Sequence, residues 1–516
     1  MKYPIGIQNF GEVRTGGYAY VDKTAILYRL VDQGKYYFLS RPRRFGKSLF
    51  LSTLRAYFEG RRELFEGLAI AELEKEWKSY PVLFLDLNAE KYDEPGALDS
   101  LLNESLLQWE KVYGHESYEQ TLSSRFRGIM RRAAQQTGRR VVILVDEYDK
   151  PLLQAIDNPA VQEDYRSTLK AFYGNLKNCD EYIQFAFLTG VTKFGKVSVF
   201  SDLNHLTDIS LLPQYVDICG ITELELRRNF DAGVAELAAA NGMTKEECYA
   251  RLKHDYDGYH FQPHTEGIYN PFSLLNTLAY RVFKDYWFET GTPTILVRQL
   301  QKTDFNLENL TREELTADTL NCIDVMNTNP LPLIFQSGYL TIRDYDPMFR
   351  VYMLGFPNRE VEEGFIQFLS AYYLPQEKGT GNFSIRKFVL AVLKGDVEDF
   401  LRRLAALFAD GNYQIVGDEE IYFHNMVYVF FKLMGFHIDV ERHTTDGRMD
   451  ILMQTPEYIY IIELKRDQTA AAALQQIEDK HYAAPFAADP RRVFCIGINF
   501  DTARRTINDW AYKIEK

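Results

Sequence analysis

The spacing of apolar residues changes character several times along the chain, and each change predicts an element. Tyr36–Leu39, Pro81–Leu87, Val141–Val145 and Ile183–Leu188 are nearly unbroken apolar runs, without the two-residue alternation of a half-exposed strand. Such runs read as buried strands of a parallel sheet. Between them lie helical periods, at Leu49–Phe58 and over most of 97–136. Residues 3–24 read as loop, with Asp22 or Thr24 placed to cap a helix starting near Ala25. From Ile221 the pattern turns helical, over 222–241, 244–255 and 271–285. Thr222 stands at a cap position with Glu223 and Glu225 in the first turn, and Pro271 falls near a first helical position. Asp257–His260 reads as a turn, with His260 structural. Gln336–Ile342 and Tyr352–Pro357 read as two strands around a turn, suggesting a small winged-helix-like unit. Residues 360–410 are helical in period apart from Lys378–Asn382, a Gly-rich polar stretch that reads as a linker. The last third predicts a helix over Glu419–Met434, strands at 435–441, 447–453 and 458–465, a helix at 469–482 and a closing strand at 493–499. The expected class is α/β, divided as 1–220, 221–377 and 384–516.

Composition narrows the picture modestly. A chain of 516 residues with 46% hydrophobic residues has enough apolar surface for several cores. The net charge of −13 gives no whole-chain argument for nucleic-acid binding and leaves room only for a local basic site. Five scattered cysteines suit neither a disulfide framework nor a zinc site, and fit a reducing cytoplasm. Met1–Gly6 has no apolar core of a signal peptide, and no apolar run is long enough to span a membrane.

The chemistry is expected at strand ends. Ser40–Ser48 joins the first apolar run to a helical period, and it closes in Gly46-Lys47-Ser48. In a P-loop the glycine lets backbone approach a phosphate, the lysine reaches the β- and γ-phosphates, and the hydroxyl faces Mg²⁺. The glycine usual five positions before Gly46 is here Arg41. The run Val141–Val145 ends in Asp146-Glu147, a Walker B pattern: Asp146 would hold Mg²⁺ through water and Glu147 would polarise the attacking water. Thr189, at the end of the neighbouring run, is the candidate γ-phosphate sensor, with Lys193 second. Near the C-terminus, Asp450 lies in one predicted strand and Glu463-Leu464-Lys465 in the next. Two carboxylates suit a hard divalent cation. Alternation puts Glu463 and Lys465 on one face, where the lysine would act on the attacking water.

Arg41–Ser48, Val145–Pro151 and Thr189–Phe194 together resemble the predicted AAA-ATPase-like family of bacterial proteins, whose P-loop carries the same Arg-Pro-Arg-Arg-Phe-Gly-Lys start. The resemblance continues through Phe200–Asn204, Tyr256–Tyr259, Tyr269–Phe272 and Gln336–Leu340. It implies an AAA-like core with a helical lid, and ATP binding through Arg43, Arg44, Gly46, Lys47, Ser48, Asp146 and Thr189. The C-terminal pattern resembles the PD-(D/E)XK nuclease superfamily domain that follows this core in the same family. That resemblance adds Glu420 as a helix acid at the metal, and Gln476 and Tyr482 as substrate contacts, from a Gln-Ile-X-X-Lys-X-Tyr helix. Met449 stands where the superfamily has proline.

The expected protein binds and hydrolyses ATP and carries a nuclease domain dependent on Mg²⁺ or Mn²⁺, acting on DNA or RNA. The alternative is a signal-transduction ATPase whose C-terminal domain binds nucleic acid or a protein partner without cutting. A cytoplasmic location without a membrane partner is expected, and homo-oligomerisation is left open.

Overall fold

The computed structural model describes residues 1–194, 205–290, 293–320, 323, 329–374, 384–409, 419–445, 448–504 and 506–515. At 419–420, 441–445 and 448–450 it describes backbone alone. The chain packs as two compact units, Met1–Gly291 with Leu310–Glu362, and Thr292–Asn309 with Glu363–Lys516.

The first unit is built on a parallel sheet of β1 (Tyr36–Ser40), β2 (Val82–Asp86), β3 (Val141–Asp146), β4 (Ile183–Gly190) and β5 (Thr207–Asp208), in the order β2-β3-β4-β1-β5. The four apolar runs are thus strands. All residues of β3 are buried, which accounts for its lack of alternation. Helices Ala97–Tyr113, Leu122–Thr137 and Pro159–Tyr173 contribute Leu102, Ile129 and Tyr165 to the core against Val141, Ile143 and Leu188. The order places β4 between the P-loop strand and the strand ending in Asp146. Both acid-bearing and lysine-bearing ends therefore open at the same edge of the sheet.

A helical layer follows. Glu223–Ala240 begins with a capping box between Thr222 and Glu225, Lys245–Tyr256 with one between Thr244 and Glu247, and Pro271–Tyr280 with Asn270 accepting from the Phe272 and Ser273 amides. Strands β6 (Ile221–Thr222) and β7 (Ile268–Tyr269) pair beside it. β8 (Glu314–Thr316), β9 (Thr341–Asp346) and β10 (Val351–Gly355) form an antiparallel sheet in the order β8-β10-β9.

Two segments differ from the sequence reading. Residues 10–15 form a short helix inside the expected loop, because the Asn9 side chain accepts the Glu12 amide and caps it. Gln336–Leu340 is not strand. A helix over Leu331–Gln336 runs into a turn at Gly338, whose φ of +91° is incompatible with a strand, and β9 starts only at Thr341.

The second unit holds a five-stranded mixed sheet of β11 (Asp439–Thr445), β12 (Arg448–Gln454), β13 (Tyr458–Arg466), β14 (Arg492–Asp501) and β15 (Thr506–Ile514), in sequence order. β13 and β14 are parallel, with the helix Ala470–Asp479 between them in sequence. Ile459, Ile461, Ile477, Val493 and Cys495 form its core. The helix before the sheet runs to Gly435, so β11 begins four residues later than the periodicity suggests. The expected linker, 378–383, lies outside the described residues. Among the described residues no helix is long and apolar enough to cross a membrane.

Candidate functional site

Gly46 opens the P-loop helix Lys47–Phe58 with φ +98°, a conformation that an L side chain rarely adopts. That turn sends the Lys47 chain back under its own loop. The Lys47 ammonium, 4% exposed, donates to the carbonyls of Arg41 (3.0 Å) and Pro42 (3.3 Å) and lies 3.4 Å from Glu147 Oε1. Asp146, 5% exposed, accepts the Thr189 hydroxyl at 2.6 Å. Burial and the Glu147 charge push the Asp146 carboxyl above its ordinary range, against hydrogen bonds from Ser48 and Thr189. Lys47, Ser48, Asp146, Glu147 and Thr189 therefore converge, from two strand ends and one helix start. The donors Asp146 and Ser48 are all oxygen and fit a hard cation such as Mg²⁺. The buried, charge-crowded Asp146 carboxylate is a group that a cation would relieve.

The remaining predicted residues of this site sit further out. Arg43 and Arg44 are exposed. The Arg43 carbonyl accepts the Trp287 indole N–H at 3.0 Å, and the Arg44 guanidinium lies 5.1 Å from the centre of the Phe272 ring. Lys193 forms an ion pair with Asp208, and its amide donates to Gln336 Oε1 at 2.7 Å.

Three features escaped sequence reasoning. The first is Arg41. Its guanidinium is buried, donates to the carbonyls of Ser210 (2.7 Å) and Tyr215 (3.0 Å), and stacks 3.8 Å from the Phe261 ring centre. Burial pushes it down to about 10. The arginine in place of a glycine is thus a strut that fixes the P-loop to the segment after β5. The second feature is an apolar cavity of about 100 Å³ beside Gly46 and Leu49, walled by Pro4, Tyr20, Cys219 and Pro271. The third is Asp149, fully buried behind Glu147. No periodic signal announces these contacts, because their partners lie tens to hundreds of residues apart.

In the second unit the register sets the Asp450 backbone opposite Glu463 across β12 and β13. Glu463 is 0% exposed, and the Lys465 ammonium donates to its Oε1 at 2.7 Å. Both side chains lie on one face, as alternation requires. Lys465 also donates to Gln476 Oε1 on the helix Ala470–Asp479. Gln476 thus meets the lysine, and Tyr482 packs against the core of the unit. The Asp450 and Glu420 side chains lie outside what is described, and among the described residues no cluster of three acids, histidines or cysteines is placed to hold a metal. A carboxylate such as Glu463 supplies the oxygen donors that a hard divalent cation takes, and the register brings the backbone of a second acid, Asp450, opposite it.

Residues 4–200 match the family model described as "Predicted AAA-ATPase", and residues 418–510 match that of the PD-(D/E)XK nuclease superfamily. A protein of Azotobacter chroococcum mcd 1, "Uncharacterized protein in vnfD 5'region", is 35% identical in an alignment that covers 98% of this chain and 98% of the relative.

Proposed function

Because this chain belongs to the predicted AAA-ATPase-like family with a C-terminal PD-(D/E)XK nuclease superfamily domain, we propose that it hydrolyses ATP in its first unit and cleaves phosphodiester bonds of DNA or RNA in its second. The observation that carries the first half is the meeting of Lys47, Asp146, Glu147 and Thr189 at one edge of the parallel sheet. Gly46, Lys47 and Ser48 bind the phosphates, with Arg43 and Arg44 exposed at the rim. Asp146 and Ser48 hold Mg²⁺, which supplies charge neutralisation when bound. Glu147 polarises water, and Thr189, fully buried with its one hydroxyl proton given to Asp146, serves the γ-phosphate by orienting Asp146. The apolar cavity beside Gly46 seats the nucleobase, since a flat ring gains from burial against Tyr20, Leu49 and Pro271.

The second half rests on the buried Glu463–Lys465–Gln476 arrangement. Asp450, Glu463 and Glu420 would hold Mg²⁺ or Mn²⁺. Lys465, an ammonium paired with Glu463, orients water and offsets charge on phosphorus, and Gln476 and Tyr482 line the substrate side. We assign 1–220 to the nucleotide core, 221–377 to a lid and middle segment, of which 292–309 and the part from Glu363 pack with the second unit, and 384–516 to the nuclease domain. We propose a cytoplasmic setting, with nucleic acid as partner and self-association left open.

Phosphate release from ATP by the purified full chain tests the first half. Mg²⁺-dependent turnover that Lys47→Ala abolishes is expected. Turnover that survives that substitution would move the site elsewhere.

A further inference from the structure

Asp149 has no role in the assignments above, yet it is the most enclosed acid near the nucleotide loops, at 0% exposed. Its carboxylate accepts three donors from the loop after β4: the Val191 amide at 3.1 Å, the Thr192 amide at 2.6 Å and the Thr192 hydroxyl at 2.6 Å. Asp149 itself sits on the turn after β3. The same two segments are tied at three more points. The Tyr148 amide donates to the Thr189 carbonyl at 2.9 Å, the Phe194 amide donates to the Tyr148 hydroxyl at 3.1 Å, and Thr189 holds Asp146.

The closeness of the two segments is enforced at Gly190. A Cβ there would stand 2.5 Å from Asp149 Oδ1 and 2.8 Å from the Tyr148 ring. Between Asp146 and Asp149, Glu147 holds φ +51°, a left-handed conformation uncommon for a residue with a side chain. Such a conformation persists where its surroundings over-determine it. The buried carboxylate and its three donors supply that determination. The loop they grip carries Lys193, whose amide donates to Gln336.

We propose that Asp149 is a positioning residue for nucleotide hydrolysis: by clamping Val191 and Thr192 it fixes Thr189 and Glu147 in the arrangement that acts on a terminal phosphate. The proposal rests on the hydrolysis reading given above. Fully buried, Asp149 works through the groups it holds by removing their freedom, and misplacement of about 1 Å in groups at a reacting centre costs on the order of 10²-fold in rate.

The test uses the full chain as wild type, Asp149→Asn, Thr192→Val and Thr192→Ser. It reads affinity for a fluorescent ATP analogue, steady-state phosphate release, and amide hydrogen exchange at 190–194 without nucleotide. Asn keeps the shape but turns an N–H₂ toward the loop amides. Asp149→Asn is expected to bind the analogue within about threefold of wild type, to release phosphate about 10²-fold more slowly at a similar KM, and to exchange the 191–192 amides faster. Thr192→Val should slow release about tenfold, and Thr192→Ser, which keeps the hydroxyl, should restore it. A merely structural role would lower affinity and melting temperature together with rate. Phosphate release by Asp149→Asn within about threefold of wild type overturns the proposal alone. If Asp149→Asn does not fold, equal rates for Thr192→Val and Thr192→Ser overturn it. A wild-type chain that binds the analogue but releases no phosphate overturns the hydrolysis reading, and the proposal with it.

Discussion

The two candidate sites are assembled in opposite ways. The C-terminal site comes from a short stretch of chain: Glu463 and Lys465 on one strand, Asp450 opposite on the next, and Gln476 on the helix that follows. The nucleotide site draws on most of its unit. Arg41 is held by Ser210 and Tyr215, the Arg43 carbonyl by Trp287, and the Lys193 amide by Gln336. A site made from local alternation is preorganised by the strand itself. One made from remote ties depends on the whole unit being folded, and it can be adjusted from a distance.

The largest expected effect lies at the centre of the distributed site. Glu147→Gln should bind ATP and turn it over about 10²–10⁴-fold more slowly, the cost of losing a positioned base. Equal phosphate release by wild type and variant would assign the role to another group. Next, the local site should be sensitive to the helix Ala470–Asp479, which carries Gln476. Gln476→Leu removes the amide oxygen that accepts from Lys465, and plasmid nicking should fall about 10–100-fold, as for other groups that orient a metal-site residue. Unchanged nicking would return Gln476 to a bystander role.

The remote ties should matter less individually. Trp287→Phe removes one N–H donor from the Arg43 carbonyl, and a hydrogen bond of about 0.5–1.5 kcal/mol corresponds to roughly 2–13-fold in nucleotide affinity. Titration with a fluorescent ATP analogue checks this, and an unchanged Kd would break the contrast between the two sites.

A further effect, on stability and not on either reaction, concerns pH. Glu360, 1% exposed, accepts the Ser273 hydroxyl at 2.9 Å and the Trp287 amide at 2.7 Å, and burial pushes its carboxyl up to about 8. Its folded pKa exceeds the unfolded one, so the folded chain binds the proton more tightly. Its contribution to stability therefore falls as pH rises from the ordinary carboxylate range through about 8, by at most about 1.4 kcal/mol per pH unit. Melting temperatures at pH 5.5 and 8.5 should diverge less in Glu360→Gln than in wild type.

The same contrast explains what the sequence makes legible. Unbroken apolar runs mark β1, β3 and β4, because strands buried on both faces have no polar side to show, and they mark β2 as well, although that edge strand is buried on one face and only half-buried at Val82 and Phe84 on the other. Thr222 and Asn270 mark helix starts, because capping is decided within four residues. Glu463 and Lys465 share a face for the equally local reason of strand alternation. The Arg41 strut, the Asp149 clamp and the walls of the apolar cavity are not legible, since each depends on which distant segments the fold brings together. Gln336–Leu340 misleads for a related reason. Its apolar residues look strand-like, but the Gln336 side chain is spent on the Lys193 amide and the Leu320 carbonyl at the end of a helix.

The account stands or falls on catalysis by the second unit, and the most direct measurement is nicking of supercoiled plasmid by the full chain with Mg²⁺ or Mn²⁺, with and without ATP, beside calorimetry for the metal. The prediction is metal-dependent nicking by wild type, weakened metal binding in Asp450→Asn, and retained metal binding without nicking in Lys465→Ala. Absence of both metal binding and cleavage by wild type, on duplex or single-stranded DNA or RNA and whether or not ATP is present, would contradict the nuclease reading and favour an ATPase whose C-terminal domain binds without cutting.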